Sequence, residues 1–266
     1  MEINITFSNP SPSTTIPIDY QYFLGSWIYS VIAKGDENYA AFLHQSGYKV
    51  NNGFGKSFKL FCFSALNIPE YAINKENQTL TIMSESFSLK IRFKIDEALG
   101  NFVKGLFMGE SLSLKSGFNT MVRFEIKTVE SKNIIVQNPT TFIKACTPIV
   151  VAQKQELKQD LYLSPTDNDY NKLFFNNLLD KFVASGGTIP PYWDIDKFNL
   201  QQIGKYPAKS KLVKIYKQHQ EPIKVRGFLF DFELTAPPEL TNIGLLAGFG
   251  RDSSMGFGFG EVVDNK

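Results

Sequence analysis

Histidine, cysteine and tryptophan are scarce in this chain of 266 residues, at two of each. His44 and His219 are the only imidazoles, so any proton transfer by imidazole must use one of them. The two cysteines, Cys62 and Cys146, lie far apart and form no disulfide or metal-ligand spacing. They read as reduced core residues of a cytoplasmic protein. No apolar run approaches the ~18 residues of a membrane span. The opening Met-Glu-Ile-Asn-Ile-Thr-Phe alternates like a strand and lacks the basic start of a signal peptide. Net charge is only +2, so charge alone names no partner.

What the chain does have is a glycine cluster near its far end. Six of its 19 glycines lie in Gly244-Leu-Leu-Ala-Gly-Phe-Gly-Arg-Asp-Ser-Ser-Met-Gly-Phe-Gly-Phe-Gly260. Glycine loses the most backbone freedom on folding and offers nothing to bury. Such a cluster therefore answers a need for φ > 0 or for close approach to something bulky, often a phosphate. A dinucleotide fingerprint needs a helix after its glycines and an acidic residue roughly 20 positions on. Only 261–266 follow here. A Walker loop needs Gly-Lys-Ser/Thr, which the cluster does not hold. Two readings stand: a hairpin closing a sheet under Phe249, Phe257 and Phe259, or a main-chain cradle for a polynucleotide. In the second reading Arg251, Ser253 and Ser254 face phosphates.

The distribution of charge says more than its sum. Between Gln201 and Arg226 stand Lys205, Lys209, Lys211, Lys214, Lys217, Lys224 and Arg226, opposed only by Glu221. This segment carries +6 and the rest of the chain −4. A basic stripe beside Tyr206 and Tyr216 suits RNA or another polyanion; a solvated lysine-rich loop is the plainer alternative.

Hydrophobic periodicity predicts a strand over 2–8 and a helix over 20–33, opened by Pro17 and Asp19, with Leu24, Ile28 and Val31 on one stripe. A short helix capped by Asp36 runs to about His44 and stops before Gly47. Strands are expected over 58–66, 78–84 and 86–95, a helix over 96–107, and strands over 118–130 and 133–143. A second round reads as a strand at 149–152, a helix over 169–183, and strands over 210–217 and 224–234. A helix begun by Pro237-Pro238-Glu239 and ended by Gly244 follows, then a last strand near 256–263. Each half approximates strand-helix-strand-strand-helix-strand. The expected fold is α+β, two tandem ferredoxin-like domains over 1–140 and 141–266. Such sheets carry helices on one face and leave the other partly free, a common RNA platform.

In the first half, His44 is placed in the last turn of the second helix, where imidazole suits acid or base work near neutral pH. A surface histidine at a helix end is the plainer reading. Tyr29 lies one step off the buried stripe and shares a more polar face with Tyr22 and Ser26. Strand alternation puts Lys59 on the side of Phe61 and Phe63, where a lysine protects an edge or has a job.

Four stretches carry a resemblance: Trp27-Ile-Tyr29-Ser-Val-Ile32; Tyr39-Ala-Ala-Phe-Leu-His44; Phe58-Lys59-Leu-Phe-Cys-Phe-Ser64; and Gly248-Phe-Gly250-Arg251-Asp-Ser253-Ser254-Met-Gly256-Phe-Gly258. With Thr147-Pro-Ile-Val-Val and Leu161-Tyr-Leu-Ser-Pro165, they make most of the chain resemble the CRISPR-associated endoribonucleases of the RAMP superfamily, which cut repeat RNA. The resemblance implies two ferredoxin-like domains and cleavage of precursor CRISPR RNA within each repeat, without metal or cofactor. It implies repeat RNA as partner, admits other CRISPR-associated proteins, and matches the family's tyrosine, histidine and lysine to Tyr29, His44 and Lys59. The segment from Gln45 to Phe58 is longer than in some members, so Lys49 or Lys56 stands as an alternative to Lys59. RNA contacts would come from Gly248, Gly250, Arg251, Ser253, Ser254, Gly256 and Gly258, and from Lys209, Lys211, Lys214 and Arg226. A non-cutting RNA-binding subunit of the same superfamily, and an enzyme holding a small phosphate, remain open beside the endoribonuclease.

Overall fold

The computed structural model describes residues 1–50, 56–109, 111–116, 120–155, 160–215 and 223–264. The first half is built from β1 (Glu2–Ser8), α1 (Gln21–Gly35), α2 (Glu37–Gln45), β2 (Phe61–Phe63), β3 (Ser86–Phe93), α3 (Asp96–Phe107) and β4 (Ile126–Lys132). Its four-stranded sheet runs β4-β1-β3-β2, all antiparallel. The second half is built from β5 (Thr140–Ala145), α4 (Tyr170–Ala184), β6 (Asn199–Ile203), β7 (Lys209–Ile215), β8 (Ile223–Leu229), β9 (Asp231–Thr235), α5 (Pro238–Ala247) and β10 (Gly260–Val262). Its sheet runs β6-β9-β5-β10, again antiparallel. Counted within each half, the sheet strands lie in the order 4-1-3-2, with helices on the two crossovers. That is the ferredoxin-like arrangement, made twice. The first sheet ends at Lys132 and the second begins at Thr140. Among the described residues, no helix is long and apolar enough to cross a membrane.

One helix start is read directly from local chemistry. Asp36 caps α2, its side chain accepting from the Tyr39 amide at 2.9 Å. α1 buries Leu24, Trp27, Ile28, Val31 and Ile32, and each large side chain contributes about 1.5–3 kcal/mol by leaving water. Several expected strands divide. The run 58–66 breaks because Leu60 takes φ 54°, leaving Ser57–Phe58 on one side and β2 on the other. The run 224–234 breaks at Phe230 into β8 and β9, because β8 turns away to pair with β7 as a separate hairpin. The run 118–130 becomes Thr120–Phe124 and β4, and 133–143 is strand only from Thr140. Ile149 and Val150 contribute isolated bridges, to Phe228 and Gly250, and Ala152–Gln153 pairs with Leu161–Tyr162. α5 continues to Ala247, past Gly244, and the last strand is shorter than expected.

The sheet face opposite the helices is not left free. Along β3, Phe87, Leu89, Ile91 and Phe93 enter the first core, while Arg92 points the other way and is still only 3% exposed. It pairs with Glu2 at 2.6 Å, directly opposite on β1. It also donates to the carbonyls of Leu245 and Gly260 and lies 4.1 Å from the centre of the Phe259 ring. Lys90 reaches Glu261 from the same face. An alternation that reads as a solvent face is thus the seam between the halves. Replacing Arg92 with methionine strands a buried Glu2 carboxylate, and urea unfolding should show a loss of about 3–5 kcal/mol. Adding Glu2→Gln should recover part of it.

Candidate active site

Tyr29, His44 and Lys59 come from three elements and meet. Tyr29 projects from α1 with its ring edge-on to His44, centroids 5.8 Å apart, and edge-on to Phe61 at 5.6 Å. His44 occupies the last turn of α2 and is exposed. The positive φ of Leu60 removes Lys59 from the alternation that would put it beside Phe61 and Phe63. Its ammonium instead donates to the His44 carbonyl at 2.9 Å, at the negative end of α2. Burial lowers the Lys59 pKa from its ordinary value. Lys56 is drawn away into an ion pair with Asp180 at 2.7 Å. It belongs to a Gly55-Lys56-Ser57 triplet, but Val50 stands where a phosphate loop has its first glycine. Lys49 is exposed in the short strand Tyr48–Lys49. His219 lies outside the described residues, as do Tyr216 and Lys217.

Tyr29 does not end in open water. It is half-buried, on a helix against which the glycine-rich loop lies: a Cβ on Gly25, one turn earlier, would stand 3.1 Å from the Ser254 carbonyl oxygen. Burial pushes its pKa up to about 12, against a smaller lowering effect of Ser254, so it carries its proton at neutral pH.

The loop differs from the expected cradle. Gly248, Gly250, Gly256 and Gly258 are buried with positive φ, and Ser253 is only 7% exposed. A Cβ on Gly258 would stand 2.0 Å from the Phe249 carbonyl oxygen, so the glycine serves the loop's packing on itself. The amides of Phe249, Arg251, Met255, Gly256, Gly258 and Phe259 all donate within the protein. Main-chain groups spent in this way cannot also hold a phosphate. Arg251 is paired with Asp160 at 2.7 Å and remains partly exposed. Arg251, Asp252, Ser254 and Met255 are therefore the loop's parts that reach the surface.

Sequence reasoning missed what holds this loop. Lys181 of α4 is 2% exposed and donates to the carbonyls of Ala247, Gly248 and Gly250 at 3.0, 2.6 and 2.8 Å. Burial lowers its pKa to about 8, against smaller opposing effects from Cys62 and Asp252. Three donors on one ammonium meet three carbonyls.

The basic stripe is the β7–β8 hairpin. Lys209, Lys211, Lys214 and Arg226 are all exposed. Val213, Ile215 and Val225 turn the other way, onto Phe257 and Tyr22. Lys214 and Lys224 stand directly opposite each other, a like-charge pairing that is unfavourable without a counter-charge. Between the hairpin, the loop and α1 lies a cleft of about 1150 Å³, lined by Tyr22, Ser26, Met255, Phe257, Lys211 and Lys214 among others.

Comparison with known proteins covers both halves. Residues 15–129 match the family described as CRISPR-associated protein Cas6, N-terminal, and residues 126–262 match CRISPR associated protein Cas6, C-terminal. A Methanocaldococcus jannaschii protein named CRISPR-associated endoribonuclease Cas6 1 is 27% identical over 259 residues, covering 95% of this chain and 89% of its own length. The solved structure titled "Characterization of a Cas6-related gene from Pyrococcus furiosus" superposes with a TM-score of 0.80 at 20% identity, covering 100% of this chain and 99% of that one. Another, "An RAMP protein binding different RNA substrates", does so at 0.78 and 18% identity, covering 99% and 100%.

Replacing Lys181 with methionine keeps the bulk and leaves three buried carbonyls without donors. Denaturant unfolding at neutral pH should register a loss of about 2–4 kcal/mol. The pH dependence has a definite sign. The folded pKa of about 8 lies below the ordinary 10.5, so between these values the unfolded chain holds more protons and this residue adds stability as pH rises. The advantage of the wild type over Lys181→Met should widen from pH 8 to 10.5; a gap that narrows there contradicts the assignment.

Proposed function

The chain belongs to the Cas6 family of CRISPR-associated proteins, and from that premise we propose that it is a cytoplasmic, metal-independent endoribonuclease that cuts precursor CRISPR RNA within its repeats. The observation that carries the reading is the convergence of a phenol, an imidazole and an ammonium at the tip of α2: ring centroids 5.8 Å apart and Lys59 Nζ 2.9 Å from the His44 carbonyl. Both His44 and the basic hairpin are open to solvent.

RNA carries its own nucleophile. The 2′-oxygen attacks the adjacent phosphorus in line as the bond to the 5′-oxygen breaks, leaving a 2′,3′-cyclic phosphate and a 5′-hydroxyl. One proton leaves the 2′-hydroxyl and one arrives at the 5′-oxygen. His44 moves one of these protons, a service worth about 10²–10⁴ in rate. Lys59 keeps two ammonium protons beyond the one given to the His44 carbonyl, and these face charge growing on the phosphorane oxygens. Tyr29, protonated at neutral pH, donates a hydrogen bond that orients the phosphate or the 2′-hydroxyl. Lys209, Lys211, Lys214 and Arg226 bind the backbone beside the cleft, with Arg251 and Ser254 on its loop side.

His44→Ala should remove cleavage and leave the RNA Kd within about twofold; a variant that still cuts sinks the reading, and a wild type that binds but never cuts makes the chain a scaffold. A deoxyribose 5′ of the scissile phosphate should block cutting but not binding, and excess chelator should leave the rate unchanged. Neutralising Lys211, Lys214 and Arg226 together should weaken binding and reduce the slope of log K against log salt by about 2–3.

A further inference from the structure

Gly47 meets two demands at the tip of α2. The first is a turn. Its φ is 60°, and the amides of Ser46 and Gly47 both donate to the Phe42 carbonyl, at 2.9 and 2.8 Å, so the chain leaves the helix there. The turn leads into Tyr48–Lys49, which pairs antiparallel with Ser57–Phe58. That short ladder returns the chain to Gly47 with Lys59 as its next residue. The left-handed Leu60 then carries the backbone on into β2. The second demand is space. A Cβ on Gly47 would stand 2.6 Å from the Phe58 carbonyl oxygen, 3.2 Å from Lys59 Cδ and 3.3 Å from Lys59 Nζ. The first distance is closer than a real Cβ comes, and the other two are tighter than ordinary contact. The lysine side chain therefore lies across a bare α-carbon, and its ammonium ends on the His44 carbonyl at 2.9 Å.

We propose that Gly47 is a positioning residue for cleavage: its missing side chain is the seat on which Lys59 lies, and that seat sets the ammonium beside His44. A lysine carries its charge on a flexible four-carbon stem. One hydrogen bond to a carbonyl fixes the head of such a side chain and leaves the stem free. Contact at Cδ fixes the stem as well. A side chain at position 47 would push the stem aside and move the ammonium toward water. A misplacement of about 1 Å at a reacting centre costs about 10²-fold in rate. The turn and the seat are separable, because asparagine accepts a left-handed backbone better than alanine does and still brings a Cβ. This rests on the reading of Tyr29, His44 and Lys59 as the cutting groups.

The test is single-turnover cleavage of a repeat RNA by Gly47→Ala and Gly47→Asn. The RNA Kd, the thermal midpoint and the Lys59 pKa, read by carbon NMR of labelled lysine, are measured alongside. Both variants should cut about 10²-fold more slowly with the Kd little changed, while asparagine unfolds at the higher temperature of the two. In both, the Lys59 pKa, held down by burial in the wild type, should rise toward its ordinary 10.5. In a Lys59→Met background Gly47→Asn should cost less than about twofold, because its effect passes through the ammonium. An asparagine variant that cuts at the wild-type rate, a Lys59 pKa that does not move, or equal losses in both Lys59 backgrounds would each overturn the proposal. Should neither variant fold, the wild type decides it: nuclear Overhauser contacts between the Gly47 α-protons and the Lys59 methylenes support the seat, and their absence refutes it. If His44→Ala still cuts, the reading of the centre falls; if it does not cut while Gly47→Asn runs at full rate, only the role of Gly47 falls.

Discussion

One buried ammonium sets the shape of the glycine-rich loop. Lys181 gives three N–H donors to three carbonyls within four residues of chain, those of Ala247, Gly248 and Gly250. An unpaired charge in that place would be prohibitive, and three unpaired carbonyls nearly as bad; together they satisfy each other. The glycines are there so that the chain can curl tightly enough to bring those carbonyls to one point. Everything the loop touches, from α1 to the β7–β8 hairpin, takes its position from that curl.

The two halves are joined by polar chemistry that would be weak at a surface and is strong here because it is dry. Arg92 and Glu2 face each other across neighbouring strands while the guanidinium also serves two carbonyls of the second half. The pair satisfies its own charges, and the carbonyls give it direction. These directional contacts set how one half sits on the other.

Much of this was legible in the sequence. The alternation of strands and helices gave two copies of one motif, Asp36 announced α2, and the scarcity of histidine pointed to His44. Three features were not legible, each for a physical reason. Arg92 occupies the polar side of an alternating strand, and no pattern says that another half of the same chain will cover that side. Lys181 sits in an amphipathic helix where lysine ordinarily faces water, and only the tertiary arrangement brings carbonyls to it. Leu60 adopts a left-handed backbone that a leucine rarely takes, so the break before β2, and with it the true direction of Lys59, lay outside propensity reasoning. The glycine cluster was the reverse case: conspicuous in the sequence, yet the amides of Phe249, Arg251, Met255, Gly256, Gly258 and Phe259 are spent within the protein.

The β7–β8 hairpin hydrogen-bonds chiefly to itself and departs from the second sheet between β6 and β9, two strands that already lie side by side. Its removal would leave that sheet's ladder whole. The exposed basic surface and the Tyr29–His44 pair are thereby carried on separate parts of the chain. A hairpin of different outer sequence that keeps the small apolar foot of Val213, Ile215 and Val225 would exchange the charge of this surface while leaving both four-stranded sheets untouched.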